Sequence, residues 1–171
     1  EKRFAEKFCT DSELENLKAS TNYFHDLWKL WACKEAAFKA LSSEGAVETF
    51  RPKDYSITNT SIMYIPSQIQ GNYQLSLNGK ALIVVASFSL PFGKWERGLM
   101  HLKSGDKSAQ VRAGIHEALK RKSIPPIIHI GYGLHAIDSE QNCWSSFSHH
   151  GRFAAYAFAL VAKTEHYGRI A

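Results

Sequence analysis

The segment W-A-C-K-E-A-A-F-K-A at residues 31–40 decides the fold of the N-terminal part of this chain. It lies within residues 22–41, where apolar side chains recur every three or four positions among good helix formers, and this pattern predicts a long amphipathic helix. Trp31, Glu35 and Lys39 follow one another at four-residue steps, so the three side chains project along one side of that helix. The sequence therefore predicts a carboxylate and an ammonium group held next to each other on rigid backbone.

The pair formed by Glu35 and Lys39 has two interpretations. As an ordinary helical ion pair beside a core tryptophan, it would stabilise the helix by about 0.2–0.5 kcal/mol. The neighbouring Ala, Cys, Phe and Trp residues favour a functional interpretation, because a partly buried carboxylate needs a cation, a metal ion or a hydrogen-bond donor. Both interpretations stay open on the residues alone.

The rest of the sequence predicts an α+β protein. Thr10 to Glu13 has the form of a capping box, which predicts a short helix to about residue 19. We expect strands at residues 52–61, 73–77, 81–90, 127–137 and 153–162, with a hairpin turn at Asn78-Gly79. Residues 91–123 combine a polar stretch punctuated by glycines with a helix at about 108–121, and we interpret them as an insertion. The predicted organisation is one α+β domain, 1–171, that carries this inserted segment.

A second polar cluster, S-S-F-S-H-H-G-R-F at residues 145–153, precedes the last predicted strand. Its hydroxyl and imidazole groups could donate hydrogen bonds to phosphate oxygens, and Arg152 could add a bidentate fork. A loop at the mouth of a strand suits a ligand site. The alternative is a polar turn whose histidines are merely exposed, and the residues alone do not decide between the two.

Composition limits the class of protein and its setting. The 171 residues are 44% hydrophobic, but the longest apolar stretches of ten residues fall short of the roughly 20 that a membrane helix needs. Without a signal sequence, and with three cysteines at no metal-ligand spacing, we expect a reduced, cytoplasmic setting. The net charge of +5 favours anionic partners. Because no nucleic-acid-binding motif is present, we expect phosphorylated cofactors or acidic proteins rather than nucleic acid.

Three motifs occur in an order similar to that of the holo-(acyl-carrier-protein) synthases. They are residues 3–13, similar to R-F-x(n)-F-T-x-x-E, residues 31–40, similar to W-x-x-K-E-A-x-x-K-A, and residues 147–153, similar to S-H-x-G-x-[FWY]. The chain thereby resembles the 4'-phosphopantetheinyl transferase superfamily. The resemblance implies a small antiparallel sheet packed against a long helix, and an assembly that could be a homotrimer.

The resemblance also implies an activity. It is the Mg²⁺-dependent transfer of 4'-phosphopantetheine from coenzyme A to a serine of an acidic acyl or peptidyl carrier protein, which releases 3',5'-ADP. The carrier would serve fatty acid, polyketide or peptide synthesis. The resemblance makes Glu35 a metal ligand and the base for the carrier serine. It assigns phosphate or nucleotide contacts to Lys34, Lys39, Ser148, His149 and Arg152.

The sequence departs from the family pattern at its start. The second metal ligand of the family is the aspartate of a G-x-D strand that precedes the R-F motif, whereas this sequence begins at Glu1. We expect that strand upstream on a longer polypeptide. The alternative is a catalytically degenerate relative that binds coenzyme A or a carrier protein as a scaffold. In either case we expect exposed basic residues near the long helix, such as Lys18 and Lys29, to form the docking face for the carrier protein.

Overall fold

The computed structural model describes residues 2–43, 45–78, 81–88, 95–124, 128–131, 134–136, 141–150 and 152–162. The elements are α1 (Lys2–Phe8), α2 (Asp11–Ala19), α3 (Tyr23–Ser43), β1 (Tyr55–Ile57), β2 (Ser61–Tyr64), β3 (Ile69–Asn78), β4 (Ala81–Ser87), β5 (Trp95–His101), α4 (Lys107–Lys120), β6 (Ile128–Gly131), β7 (Leu134–Ala136), β8 (Gln141–His150) and β9 (Phe153–Ala162). The α+β class predicted from the sequence is confirmed. None of the helices in these ranges is long and apolar enough to cross a membrane.

The chain divides into two compact units, Glu1–Ser89 (unit 1) and Leu90–Ala171 (unit 2). The unit boundary lies next to the start of the segment that we interpreted as an insertion. That the two units together form one domain with an inserted segment stays a prediction.

Unit 1 combines α1, α2 and α3 with an antiparallel sheet in the strand order β1-β2-β3-β4. The long helix α3 contacts β1 and β4, and its buried residues lie along one side of the helix: Leu27, Cys33, Lys34, Ala37 and Leu41. Because these residues share one side of the helix, the same pattern that predicted α3 also places it against the sheet. The predicted helix at 22–41 and the predicted capping box of α2 are both confirmed.

The prediction of a single strand at residues 52–61 is wrong. Pro52–Asp54 form a 3-10 turn, and strand β1 begins only at Tyr55. The chain then turns back at Thr58, whose amide donates to the carbonyl oxygen of Ser61 at 3.0 Å. Proline fixes φ at about −65°, which suits the first position of a helical turn, so Pro52 starts the 3-10 turn and β1 begins after it.

The β3–β4 hairpin agrees with the sequence pattern. The ladder runs to the pair Asn78 and Ala81, so the connection between the two strands is as short as predicted. Gly79 of the predicted turn lies outside the described residues, as do residues 89–90 at the end of the strand predicted at 81–90.

Unit 2 is a five-stranded antiparallel sheet in the order β5-β9-β8-β7-β6, and α4 packs on it. The apolar stripe of α4, Val111, Ile115 and Leu119, is buried against Cys143 and Phe158. The predicted helix at 108–121 and the predicted strand at 153–162 are confirmed.

Three sequence predictions in unit 2 are wrong. Residues 95–101 form strand β5, although the glycines led us to expect an irregular polar stretch. Residues 127–137 form two paired strands, β6 and β7, instead of one. The cluster at 145–153 begins within strand β8 and does not form a loop. Gly98 explains the first error, because an added Cβ there would overlap the ring of Tyr156 on the paired strand, so this glycine marks close packing within a strand.

Candidate active site

The residues Glu35 and Lys39 form the ion pair that their spacing predicts. The ammonium group of Lys39 donates to Oε1 of Glu35 at 2.7 Å. The side chains are 38% and 31% exposed, respectively, so both remain within reach of a ligand from solvent. A carboxylate and a cation are thus held side by side on α3, as a site for a phosphate and a hydroxyl requires.

An aromatic cluster holds this part of α3 in place. Trp31 lies one helical turn before Glu35, and its ring centre is 5.5 Å from that of Phe4 and 5.2 Å from that of Phe8, both in α1. On another side the Trp31 ring contacts Phe50 at 5.6 Å. Aromatic contacts of this kind add about 0.5–1.5 kcal/mol each beyond their buried area. The R-F motif and the W-x-x-K-E-A motif therefore meet in the structure, and the first supports the helix that carries the second.

Lys34, next to Glu35, has quite different surroundings. Its side chain is fully buried, and its ammonium group lies 2.7 Å from Oε2 of Glu13. It also donates to the carbonyl oxygens of Phe8 at 2.9 Å and of Pro52 at 3.0 Å. Burial lowers the pKa of Lys34 below its ordinary value, while the hydrogen bond and the charge of Glu13 oppose that shift.

The contacts of Lys34 give it a structural role. An ammonium group has three N–H donors, and in Lys34 each of the three has an acceptor within the protein. A phosphate oxygen could bind this group only by displacing one of those acceptors. Lys34, which the resemblance made a phosphate neighbour, therefore ties α3 to α2 and to the segments around Phe8 and Pro52.

Glu13 is the residue whose importance sequence reasoning underestimated. Its carboxylate accepts from the amide of Thr10 at 2.8 Å, which completes the capping box, and from the amide of Ile57 in β1 at 3.0 Å. With Lys34 it thus makes three contacts to three different segments. The capping-box pattern revealed the first contact, whereas the other two depend on the tertiary fold.

A groove in unit 1 lies away from the Glu35–Lys39 pair. It has a volume of about 440 Å³ and lies between α2, α3 and the β1–β2 turn. Its charged lining residues are Glu13, Asp26 and Lys29. The hydroxyl of Ser20 donates to Asp26 at 2.6 Å and holds the pKa of that carboxyl below its ordinary value. Because Asp26 and Lys29 lie on a different side of α3 from Glu35, this groove does not complete the catalytic pair.

The second predicted cluster lies in unit 2, on the β8–β9 hairpin. Ser148 is half-buried in β8 and pairs with Ala155 of β9, and Arg152 is exposed in the turn that joins the two strands. His149 follows Ser148 on the same strand, and its side chain lies outside the described residues.

The donor set of unit 1 fits magnesium in one respect. Mg²⁺ is commonly held by one or two carboxylates together with substrate phosphates and water. Glu35 can supply one such carboxylate oxygen. In the part of the chain that the structure describes, no group of three or more His, Cys, Asp and Glu side chains converges as a complete metal site. Substrate phosphates and a further carboxylate would have to supply the remaining ligands.

The three cysteines take no part in this chemistry. Cys9, Cys33 and Cys143 are free and buried. Burial raises the pKa of the Cys9 thiol to about 11 and those of Cys33 and Cys143 to about 12. Thiols in this condition are poor nucleophiles and poor metal ligands at neutral pH.

Comparison with known families gives one match. The model of the 4'-phosphopantetheinyl transferase superfamily matches residues 1–84. No curated protein and no solved structure matches the chain. The resemblance inferred from the motifs is thereby confirmed for residues 1–84, and the match supports phosphopantetheinyl transfer in general. It covers α1 to α3 and the Glu35–Lys39 pair, whereas Ser148, His149 and Arg152 lie beyond it.

Proposed function

We propose that the protein transfers the 4'-phosphopantetheine group of coenzyme A to a serine of an apo carrier protein, in the manner of the holo-(acyl-carrier-protein) synthases. The observation that carries the proposal is the Glu35–Lys39 ion pair, because it lies on a rigid helix within the segment that matches the superfamily. The order of the three sequence motifs supports the synthase-like subtype. The free cysteines fit the cytoplasmic setting that we propose for the activity.

Lys39 is the residue that contacts a phosphate of coenzyme A. The ammonium group of Lys39 lies 2.7 Å from Oε1 of Glu35, so turning it toward a phosphate oxygen bound beside that carboxylate exchanges one anionic partner for another. Phosphoryl transfer depends chiefly on positioning and on neutralising charge at the phosphate oxygens. A lysine fixed on α3 meets both requirements.

Glu35 is the base and one metal ligand. The carrier serine oxygen attacks the phosphorus of the pantetheine phosphate, the bond to the 3',5'-ADP oxygen breaks, and the serine proton passes to Glu35 directly or through a water molecule. A bound Mg²⁺ would neutralise the pyrophosphate charge, with Glu35 among its ligands. When Lys39 turns toward the phosphate, Oε1 of Glu35 becomes available for these contacts.

In unit 2, Arg152 is the strongest candidate for a nucleotide contact. Its side chain is exposed in the β8–β9 turn, where the guanidinium group can bind a phosphate through two parallel hydrogen bonds. Ser148 is half-buried one residue before His149, and we propose both as further contacts to the 3'-phosphate end of coenzyme A.

A direct assay tests the proposal. The full-length gene product is incubated with coenzyme A, Mg²⁺ and several apo carrier proteins, and the carriers are weighed by mass spectrometry. We expect a gain of one phosphopantetheine group on at least one carrier, and no gain when a chelator removes the metal. The absence of any gain with every carrier would contradict the proposal.

The scaffold alternative rests on one observation. Among the described residues, no group of three or more His, Cys, Asp and Glu side chains gathers around Glu35 to hold a metal ion. A scaffold that binds coenzyme A without catalysis would retain its affinity in the presence of a chelator. Calorimetric titration of coenzyme A with and without chelator therefore separates the two functions.

A further inference from the structure

The net charge of the protein resides entirely in unit 2. Residues 1–89 contain ten Lys and Arg and ten Asp and Glu, so unit 1 is neutral. Residues 90–171 contain eleven Lys and Arg and six Asp and Glu, so unit 2 carries the whole +5. The long-range field that attracts an anionic partner therefore originates in the part of the chain that the family model does not match.

Helix α4 concentrates this charge. Beside its buried stripe, helix α4 and its C-terminal cap expose a basic face, which we define as Arg112, His116, Lys120 and Arg121. Arg112, His116 and Lys120 follow at four-residue steps, so they form a row about 12 Å long on one side of the helix. The only acidic residue within α4 is Glu117, so the face keeps a clear excess of positive charge.

The acidic residues closest in sequence to α4 are engaged elsewhere. Asp106 caps the helix by accepting from the amide of Ala109 at 3.0 Å. Glu96 pairs with Lys122 at 2.7 Å. Among the residues that the structure describes, Arg112 and Lys120 have no ion-pair partner. Their charge is therefore available to a second molecule.

The lysines that we expected to form the docking face lie in unit 1, which has no net charge, and their local setting is no better than that of Lys120, which follows Glu117 by three residues. Lys18 follows the exposed Glu15 by three helical residues, and Lys29 follows Asp26 by three. Neighbours at this spacing on a helix partly neutralise each other. Lys29 is also half-buried in the groove of unit 1.

A small cavity beside the basic face provides a second place where the carrier protein can bind. It has a volume of about 220 Å³, and its polar lining residues are Glu96, Arg97, Arg121, Lys122 and Tyr156. Glu96 pairs with Lys122, so the two arginines supply the positive charge of the cavity. The Tyr156 ring packs over Gly98, which fixes its position in the wall. Arginine side chains bind carboxylates through paired hydrogen bonds, so the cavity can receive an acidic side chain.

We infer that the basic face of α4 is the docking surface for the acidic carrier protein. This inference rests on the proposed function, which requires a protein substrate. Arg112 and Lys120 lie two helical turns apart on one side of α4, and they fit an acidic helix laid alongside with carboxylates at the same spacing. Electrostatic attraction of this kind raises the association rate and makes it sensitive to salt.

Charge reversal provides the test. Binding of a fluorescently labelled apo acyl carrier protein is measured by anisotropy for the wild type, for the α4 variant Arg112→Glu with Lys120→Glu, and for the unit 1 variant Lys18→Glu with Lys29→Glu. We expect the α4 variant to bind at least about tenfold more weakly at low salt. At about 1 M salt, where the Debye length is about 3 Å, we expect it to approach the wild type. The affinity of the unit 1 variant for the carrier protein should stay within about twofold of the wild-type affinity at both salt concentrations.

Further measurements keep the outcomes distinct. The milder variant Arg112→Gln with Lys120→Gln replaces the α4 variant if circular dichroism shows that the reversal disturbs folding, and a threefold or greater loss is then expected. Unchanged affinity in the α4 variants would overturn the inference. The inference would also be overturned if the α4 variants lost affinity for a single-stranded RNA probe but kept their affinity for the carrier protein. If the wild type binds the carrier through α4 but never modifies it, the proposed function fails while the docking surface stands.

Discussion

The ammonium nitrogen of Lys34 lies 2.7 Å from Oε2 of Glu13, and both side chains are almost completely buried. The pair joins two separate sequence motifs, because Glu13 ends the first motif and Lys34 immediately precedes Glu35 in the second. Carbonyl oxygens and amides from three further segments complete the hydrogen bonding of both groups. The contact fixes the position of the helix that carries the proposed active site.

Breaking this pair should strongly destabilise the protein. In Lys34→Met the carboxylate of Glu13 stays buried without its cation, which typically costs about 3–5 kcal/mol in the free energy of unfolding. In the double variant Lys34→Met with Glu13→Gln no unpaired charge remains, so we expect a smaller loss than the sum of the two single changes. Urea unfolding of the four proteins measures this coupling. Additive losses, or a loss below about 1 kcal/mol for Lys34→Met, would contradict a tightly coupled pair.

The N-terminal cap of α2 should make a smaller contribution. Thr10→Ala removes the hydroxyl that accepts from the amide of Glu13, and the loss of such a cap costs about 1 kcal/mol. Thr21→Ala is the matched control, because Thr21 is an exposed threonine in the turn before α3 with no side-chain contact in the described structure. Urea unfolding of both variants measures the difference. Equal unfolding midpoints for Thr10→Ala and Thr21→Ala would contradict a stabilising role of the Thr10 hydroxyl at the N-terminus of α2.

Gly98 should tolerate no side chain. A methyl group at this position would meet the ring of Tyr156, so Gly98→Ala should destabilise the protein by about 1–3 kcal/mol. Shortening the opposing side chain in Gly98→Ala with Tyr156→Ala should remove the overlap, and the two changes should then cost less together than their sum. Thermal unfolding of the single and double variants measures the coupling. A Gly98→Ala protein as stable as the wild type would contradict the close contact between Gly98 of β5 and the Tyr156 ring of β9.

The cysteine thiols should react slowly in the folded protein. Burial raises the pKa of Cys9 to about 11 and that of Cys33 to about 12, so both thiols stay protonated at pH 8. We expect iodoacetamide to label them only after unfolding. Because the pKa of each thiol is higher in the folded than in the unfolded protein, the thiols lose their protons at a lower pH in the unfolded protein. The free energy of unfolding therefore falls as the pH rises above about 9. Rapid labelling at pH 8 without denaturant would contradict the burial of these residues.

Local patterns allowed much of unit 1 to be predicted from the sequence. The long helix, the capping box and the Glu35–Lys39 pair each depend on residues within four positions of one another, and the structure has all three. Lys34 was assigned to a phosphate because its motif places it beside Glu35. Its actual partners, Glu13 and the carbonyl oxygens of Phe8 and Pro52, come together only in the tertiary fold.

Unit 2 was less predictable for a similar reason. The buried stripe of α4 has helical period and was recognised, whereas β5 contains a glycine that we interpreted as a break. Only the pairing of Gly98 with Tyr156 shows why a glycine belongs in that strand. The division of charge between the units likewise became visible only when the structure gave their boundary.

The comparison of two carboxylates tests the central claim most directly. Glu35 and Glu96 each pair with a lysine at 2.7 Å and are both partly exposed, but only Glu35 lies in the proposed active site. Apo carrier protein is incubated with coenzyme A, Mg²⁺ and wild type, Glu35→Gln or Glu96→Gln, and its modification is followed by mass spectrometry. With the carrier protein at saturating concentration, the proposed function predicts that Glu35→Gln slows turnover at least about 100-fold, as expected for loss of a general base. Glu96→Gln releases Lys122 near the proposed docking surface and so can change the association of the carrier, but it leaves this turnover unchanged. Transfer by Glu35→Gln at the wild-type rate would contradict the proposed function.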